Sequence, residues 1–254
     1  MSKEEPFLRV IELSKKFGGV QALKKVSFDL NSKEIVGLVG DNGAGKSTII
    51  NLLMGVFPPD EGEIYFNGKK VRFSSPQESR KAGIEPVYQH TALIDLMSLW
   101  RNFFLGREIT YKVGPFSFLD KKVMGEACMN VMNDIGVHVS SADKGVNFLS
   151  GGERQSVCIG RCMYFEAKLL LLDEPTAALS VKETKRVLDF MEEVKEQGLS
   201  EIIVDHNIYH IYPVVDKFVI LDRGAKIAEL KKDDVSPEDV IQIIRTGCYE
   251  TERG

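Results

Sequence analysis

The stretch that most constrains this chain is Gly40-Asp41-Asn42-Gly43-Ala44-Gly45-Lys46-Ser47-Thr48, which follows directly on the apolar run Ile35-Val36-Gly37-Leu38-Val39. It fits G-x-x-x-x-G-K-[ST], the pattern of a strand feeding a glycine-rich loop that opens a helix. Three glycines let the backbone wrap round a phosphate chain and turn successive N–H groups toward its oxygens. Lys46 adds a compact positive charge for terminal phosphates, Ser47 offers a hydroxyl to a magnesium ion, and the new helix presents its positive end. A chance Gly-Lys-Ser would not require both flanks, yet Thr48, Ile49, Ile50, Leu52, Leu53 and Met54 continue as a helix with a broad apolar face. Residues Gly40 to Thr48 therefore read as a nucleoside triphosphate site.

The pattern on either side predicts the layers around that loop. Leu8-Arg9-Val10-Ile11-Glu12-Leu13 and Val26-Ser27-Phe28-Asp29-Leu30 alternate as strands. Gly62 to Phe66 meets Lys69 to Phe73 across Asn67-Gly68, a strong hairpin signal. The middle changes character: Val123, Met124, Ala127, Cys128, Val131, Met132 and Ile135 recur at helical spacing, with Asp120 as N-cap. Leu169 to Leu172 and Ile202 to Val204 are continuous apolar runs, as in strands covered on both faces, and the helix Val181 to Glu196 crosses between them. Phe218 to Leu221 and Lys226 to Leu230 form a hairpin about Arg223-Gly224, and Ser236-Pro237-Glu238-Asp239 opens a last helix.

Composition narrows the function. With 33 basic and 37 acidic residues the net charge is −4, which gives no field for nucleic acid or anionic lipid. The segment from Met1 to Pro6 has no apolar signal core and no stretch approaches the ~20 apolar residues that span a bilayer, so a cytoplasmic chain is expected. Cys128, Cys158, Cys162 and Cys248 show no C-x-x-C pairing and are expected to be buried free thiols.

Four further stretches specify the machine. Asp173 and Glu174 end the Leu169 strand, where one acid can hold magnesium and the other polarise the attacking water. Leu149-Ser150-Gly151-Gly152-Glu153 leads into a helix, and its adjacent glycines make a second phosphate-sized nest. With these motifs on view the chain resembles the nucleotide-binding subunit of an ABC transporter, whose signature is Leu-Ser-Gly-Gly-Gln. Glu153 departs from that signature, but Ser150 and Glu153 have capping-box spacing, in which Glu and Gln serve equally. The resemblance implies that Gln89 is the Q-loop ligand of magnesium and water, and that His206 is the switch histidine at the γ-phosphate. It implies that Phe17 stacks on adenine. Ser180 stands where most of the family has Asp, and Asp205 where many members have Ser.

Phe103-Phe104-Leu105-Gly106-Arg107-Glu108, Gly83 to Gln89 and Thr176 to Ser180 are similar to bacterial importers of ribose, xylose and fructose type. The implied fold is α/β: a P-loop NTPase with a RecA-like core and antiparallel β subdomain (1–89 and 165–230), an inserted α-helical subdomain (90–164), and a C-terminal helix and tail (231–254). The implied ligands are ATP and Mg2+. The implied partners are permease subunits, a sugar-binding protein outside the membrane, and a second ATPase chain whose Ser150, Gly151, Gly152 and Glu153 close the site in trans, with the assembly peripheral on the cytoplasmic face of the plasma membrane. Two rival readings remain at this point. A soluble ABC ATPase of DNA repair or translation usually carries long coiled coils or two nucleotide units, and a binding-only regulatory subunit would have lost catalytic residues.

Overall fold

A computed structural model describes residues 5–87, 93–135, 137, 139–177 and 179–248. In chain order the elements begin β1 (Leu8–Phe17), β2 (Val20–Leu30), β3 (Ile35–Gly40), α1 (Lys46–Leu53), β4 (Glu61–Phe66), β5 (Lys69–Val71), α2 (Pro76–Ala82) and β6 (Ile84–Val87). They continue with α3 (Leu99–Phe103), β7 (Thr110–Val113), β8 (Phe116–Leu119), α4 (Lys121–Asp134) and α5 (Gly151–Tyr164). The last are β9 (Leu169–Asp173), α6 (Val181–Glu196), β10 (Ser200–Val204), α7 (Ile208–Ile211), β11 (Lys217–Asp222), β12 (Ala225–Lys231) and α8 (Pro237–Thr246). The chain divides into two compact units, residues 1–89 with 167–254, and residues 90–166.

The larger unit is built on two sheets. An antiparallel sheet runs β2-β1-β4-β5, and a six-stranded sheet runs β12-β11-β3-β10-β9-β6. In the second sheet β11, β3, β10, β9 and β6 are mutually parallel, while β12 turns back on β11. Period-two spacing sorts its side chains: Val36 and Leu38, Leu169 and Leu171, Ile202 and Val204, and Val219 and Leu221 join one core cluster. That cluster takes in Ile49, Ile50, Leu52 and Leu53 of α1 and the apolar face of the antiparallel sheet, Leu8, Val10, Val26, Phe28 and Ile64 among it. The alternate residues Val39, Leu170, Leu172, Ile203 and Ile220 are buried too, so these strands read as continuous apolar runs because both faces are covered. Burying each large apolar side chain contributes about 1.5–3 kcal/mol, which anchors the strand ends that carry the loops.

Local chemistry sets the turns as expected. Asn67 and Gly68 have φ of 50° and 71°, the two left-handed positions of a tight hairpin turn between β4 and β5. Arg223 and Gly224, at 43° and 83°, repeat the device between β11 and β12. β5 stops at Val71, two residues short of the expected Phe73.

The smaller unit packs α3, α4 and α5 round Leu99, Trp100, Phe103, Phe104, Met124, Cys128, Met132 and Val157. Asp120 caps α4 by accepting from the Val123 N–H at 3.1 Å. One element was not expected: β7 and β8 pair as an antiparallel hairpin whose eight residues are all exposed. Among the described residues no helix is long and apolar enough to cross a membrane. Cys128 and Cys162 are buried free thiols and Cys158 is half-buried, but Cys248 is exposed, because it lies just past the end of α8. Burial pushes the Cys128 and Cys158 thiols up to about 12.

Candidate active site

The phosphate loop needs its glycines for two different reasons. Gly40 has φ 147°, and a Cβ there would stand 2.1 Å from the Leu221 carbonyl oxygen of the paired strand β11. At Gly45, φ 105°, a Cβ would meet the Ala22 oxygen at 2.8 Å. Gly43, φ 80°, has nothing within 4 Å of that position, so only its backbone conformation demands glycine. The Ala44 N–H donates to Asp41 O at 3.1 Å, and the loop rests on the turn between β11 and β12: Gly224 N–H donates to Ala44 O at 3.1 Å, while Lys24 N–H donates to Gly224 O at 2.7 Å. The sequence marks Arg223-Gly224 only as a hairpin turn; its second duty, supporting the loop, is written in a Cβ position that would meet Ala22 O at 2.7 Å.

Lys46 is buried, and its ammonium donates to Gly40 O at 2.7 Å and Asp41 O at 2.9 Å. Desolvation lowers its pKa, opposed by the charges of Glu174, Asp41 and Asp173. Asp41, Asn42 and Ser47 are exposed and Thr48 is half-buried.

Strand order explains why distant residues converge. β10 lies between β3 and β9, so the loop after β3, the acids ending β9 and the histidine after β10 all leave the carboxyl edge of one parallel sheet. Asp173 pairs with Val204, and the next N–H, that of Glu174, donates to Val204 O at 2.7 Å. Asp173 is half-buried, and burial together with neighbouring Glu174 raises its carboxyl pKa, with Lys46 pulling the other way. Glu174 holds φ 49°, a left-handed conformation costing a non-glycine residue on the order of 1–3 kcal/mol. His206 is exposed, with Nδ1 3.8 Å from Glu174 Oε1. Lys46, Asp173, Glu174 and His206 are thus brought together. Gln89 lies outside the described residues.

Phe17 ends β1 with 44% of its surface exposed, so it is not a core side chain. Its ring meets Phe57 edge-on at 5.0 Å, and the Lys15 ammonium lies 5.6 Å from its centroid, held by Pro58 O at 2.8 Å and Asp60 at 2.9 Å.

In the unit 90–166, Ser150 caps α5 in a full capping box. Ser150 N–H donates to Glu153 Oε2 at 2.7 Å and Glu153 N–H to Ser150 Oγ at 3.3 Å. Hydrogen bonding to the Glu153 carboxylate from Ser150, its side chain first and its N–H second, lowers the Glu153 pKa. Gly152 has nothing within 4 Å of a Cβ position. Ser180 and Glu183 form the same box at the start of α6, with Ser180 N–H donating to Glu183 at 2.9 Å. Sequence reasoning missed Thr176 and His210: the Thr176 hydroxyl donates to Asp205 and lies 3.0 Å from His210 Nδ1.

The donors suit a small hard cation. Ser47 offers a hydroxyl and Asp173 a half-buried carboxylate, both oxygen donors. That suits magnesium, which is bound through one or two protein oxygens with phosphate oxygens and water completing its shell.

A phosphate loop, an acid pair and a histidine at adjacent parallel strand ends define a nucleoside triphosphatase of the phosphate-loop class. The family model described as ABC transporter matches residues 23–177. The chain is 43% identical over 237 residues to the xylose/arabinose import ATP-binding protein XylG of Sulfolobus acidocaldarius, covering 93% of each. It is 40% identical over 255 residues to the fructose import ATP-binding protein FrcA of Rhizobium meliloti, covering 98% of this chain and 97% of that one. A nucleotide-free ATP-binding cassette from an ABC transporter shares the fold with a TM-score of 0.76 at 23% identity, covering 97% of this chain and 100% of that one. The chain belongs to the ABC transporter family of ATP-binding ATPases.

Proposed function

We propose that this chain hydrolyses ATP to power import of a monosaccharide through a membrane permease. The observation that carries the hydrolytic part is the convergence of Lys46, Asp173, Glu174 and His206 on one sheet edge. Lys46 and the N–H groups of Gly43 to Thr48 bind the phosphates, Phe17 stacks on adenine, Glu174 polarises the attacking water and His206 contacts the γ-phosphate. Ser47, Asp173 and Gln89 would hold magnesium, which supplies charge neutralisation at the phosphates. The sugar part is supported by the names of the relatives: both are import ATP-binding proteins for pentoses or fructose.

One loop cannot surround a γ-phosphate that carries charge on several faces. The second nest, Ser150, Gly151, Gly152 and Glu153, therefore comes from a partner copy, in a dimer that two ATP molecules hold together. Permease subunits grip the helical subdomain (90–164) inserted in a single ATPase domain of residues 1–254, peripheral on the cytoplasmic face of the membrane. The permease in turn receives the sugar from an external binding protein. No nucleic acid takes part.

Glu174→Gln tests the reading. It should keep ATP binding and cut hydrolysis about 10²- to 10⁴-fold in the assembled transporter; a parent rate would remove Glu174 from its role. For the composite site, a Lys46→Ala chain mixed with a Gly151→Asp chain should regain activity through one intact site, and no recovery would count against the trans arrangement.

A further inference from the structure

We infer that Thr176, Asp205 and His210 form a positioning clamp that holds Glu174 and His206 in register, an inference that rests on reading those two as hydrolytic residues. Thr176 is 3% exposed and Asp205 0%. The Thr176 hydroxyl donates to Asp205 Oδ2 at 2.8 Å, and the Asn207 N–H donates to Asp205 Oδ1 at 2.9 Å, so both carboxylate oxygens are engaged. His210 Nδ1 stands 3.0 Å from Thr176 Oγ1, and its Nε2 stands 3.1 Å from Asn207 Nδ2.

The proton positions follow by elimination. The Thr176 hydroxyl donates to the Asp205 carboxyl oxygen, so its hydrogen is committed to Asp205. His210 Nδ1 must then donate to Oγ1, which leaves Nε2 to accept from the Asn207 amide. With Nδ1 donating to Oγ1 and Nε2 accepting from the Asn207 amide, every member of the set has a partner. A fully satisfied network about a buried hydroxyl and a buried carboxylate favours one geometry, because a slip leaves one of those two groups unpaired.

The clamp sits where the chemistry needs it. Thr176 lies two residues beyond Glu174, and Asp205 immediately precedes His206. With the Glu174 N–H bond to Val204 O at 2.7 Å, it makes two ties between the exits of β9 and β10, on residues adjoining the 3.8 Å approach of Glu174 to His206. Glu174 is held at φ 49°, a conformation that persists only where its surroundings over-determine it. Among the described residues, the side-chain bonds of Thr176, Asp205 and His210 run to one another and to Asn207, at the exits of β9 and β10 and not at the phosphate loop. The clamp therefore acts on hydrolysis and not on ATP affinity.

The test compares Thr176→Val, which keeps the shape and removes the hydroxyl, with Thr176→Ser, which restores it. Steady-state hydrolysis and equilibrium ATP binding are measured on the assembled transporter. Thr176→Val should lose about tenfold or more in kcat, since small misplacements of reacting groups are costly. Its KM for ATP should stay within about twofold, and Thr176→Ser should stay within about twofold of the parent in kcat. Asp205→Asn, isosteric with the carboxylate, carries the same expectation if the valine variant does not fold. A parent kcat in Thr176→Val, a loss carried by KM, or an equal loss in Thr176→Ser would overturn the clamp. A wild-type chain with no hydrolysis would defeat the hydrolytic reading instead.

Discussion

Replacing Glu201 by Gln should stabilise the protein at neutral pH and leave it unchanged in acid. Glu201 lies in β10, paired between Ile35 and Leu170, with 0% exposure and neither carboxyl oxygen hydrogen-bonded to any described residue. The nearest favourable charge, Lys195, already spends its ammonium on both oxygens of Asp216 at 2.7 Å. Burial raises the Glu201 pKa well above its ordinary 4.5, against a lowering by Lys195. The sign follows from linkage. Below the unfolded value the carboxyl is protonated in both states and pH has no leverage through it. Above that value the unfolded chain ionises while the folded chain stays neutral, so folding must take up a proton. Stability then falls by about 1.4 kcal/mol per pH unit until the folded pKa is passed. Gln has the shape of the neutral acid and does not ionise, so the variant escapes that slope. Urea unfolding of both proteins at pH 4.5, 5.5 and 6.5 should give stability differences that start near zero and grow in favour of Glu201→Gln. A difference that stays flat with pH, or a variant weaker than the parent at pH 6.5, would refute the assignment.

Other outcomes are expected elsewhere. Gly40→Ala should cost about 3 kcal/mol or more, because its methyl would strike the Leu221 carbonyl at 2.1 Å, whereas Gly43→Ala, with open space around it, should cost only the left-handed strain of about 1–2 kcal/mol; thermal unfolding of the pair distinguishes them. Phe17→Ala should raise the KM for ATP by roughly three- to tenfold and leave kcat unchanged, from the loss of about 0.5–1.5 kcal/mol of stacking. Glu153→Gln preserves the capping box but removes a negative charge from the nest proposed to meet the partner's ATP, so ATP-dependent dimers should form more readily than in the parent, by a margin larger at low salt than at high salt, as read by sedimentation.

Much of this was legible because its signals are local. The phosphate loop, the Asn67-Gly68 and Arg223-Gly224 turns, the Asp120 cap and the Ser150 and Ser180 boxes each rest on residues within a few positions of one another. What stayed hidden depends on pairing across the chain. Thr176 meets Asp205 and His210 at separations of 29 and 34 residues, and neither partner carries a motif. The hairpin of β7 and β8 escaped for a different reason: all eight of its residues are exposed, so Tyr111, Val113, Phe116 and Phe118 show no buried face for alternation to reveal. The exposure of Cys248 was equally unreadable, since a cysteine next to a helix end carries no sign of which way the chain leaves the core.

Two buried acids, Glu201 in β10 and Asp205 just past its end, flank one short strand and have opposite surroundings. At its start Glu201 is buried with no hydrogen bond from any described residue, so its ionised form opposes folding. Just past its end Asp205 is equally buried, but it accepts from Thr176 and from Asn207 N–H, so both of its oxygens are paired. Burial alone therefore does not decide what a carboxylate does in this sheet; the donors at the loop end do. The register separates the effects as well, because Glu201 pairs at the base of the sheet while Val204 pairs with Asp173 at the edge that carries the site. Glu201→Gln should move unfolding and leave kcat alone, whereas Asp205→Asn should lower kcat. An Asp205→Asn variant that unfolds more easily yet hydrolyses ATP at the parent rate would show that the edge of β10 serves stability only.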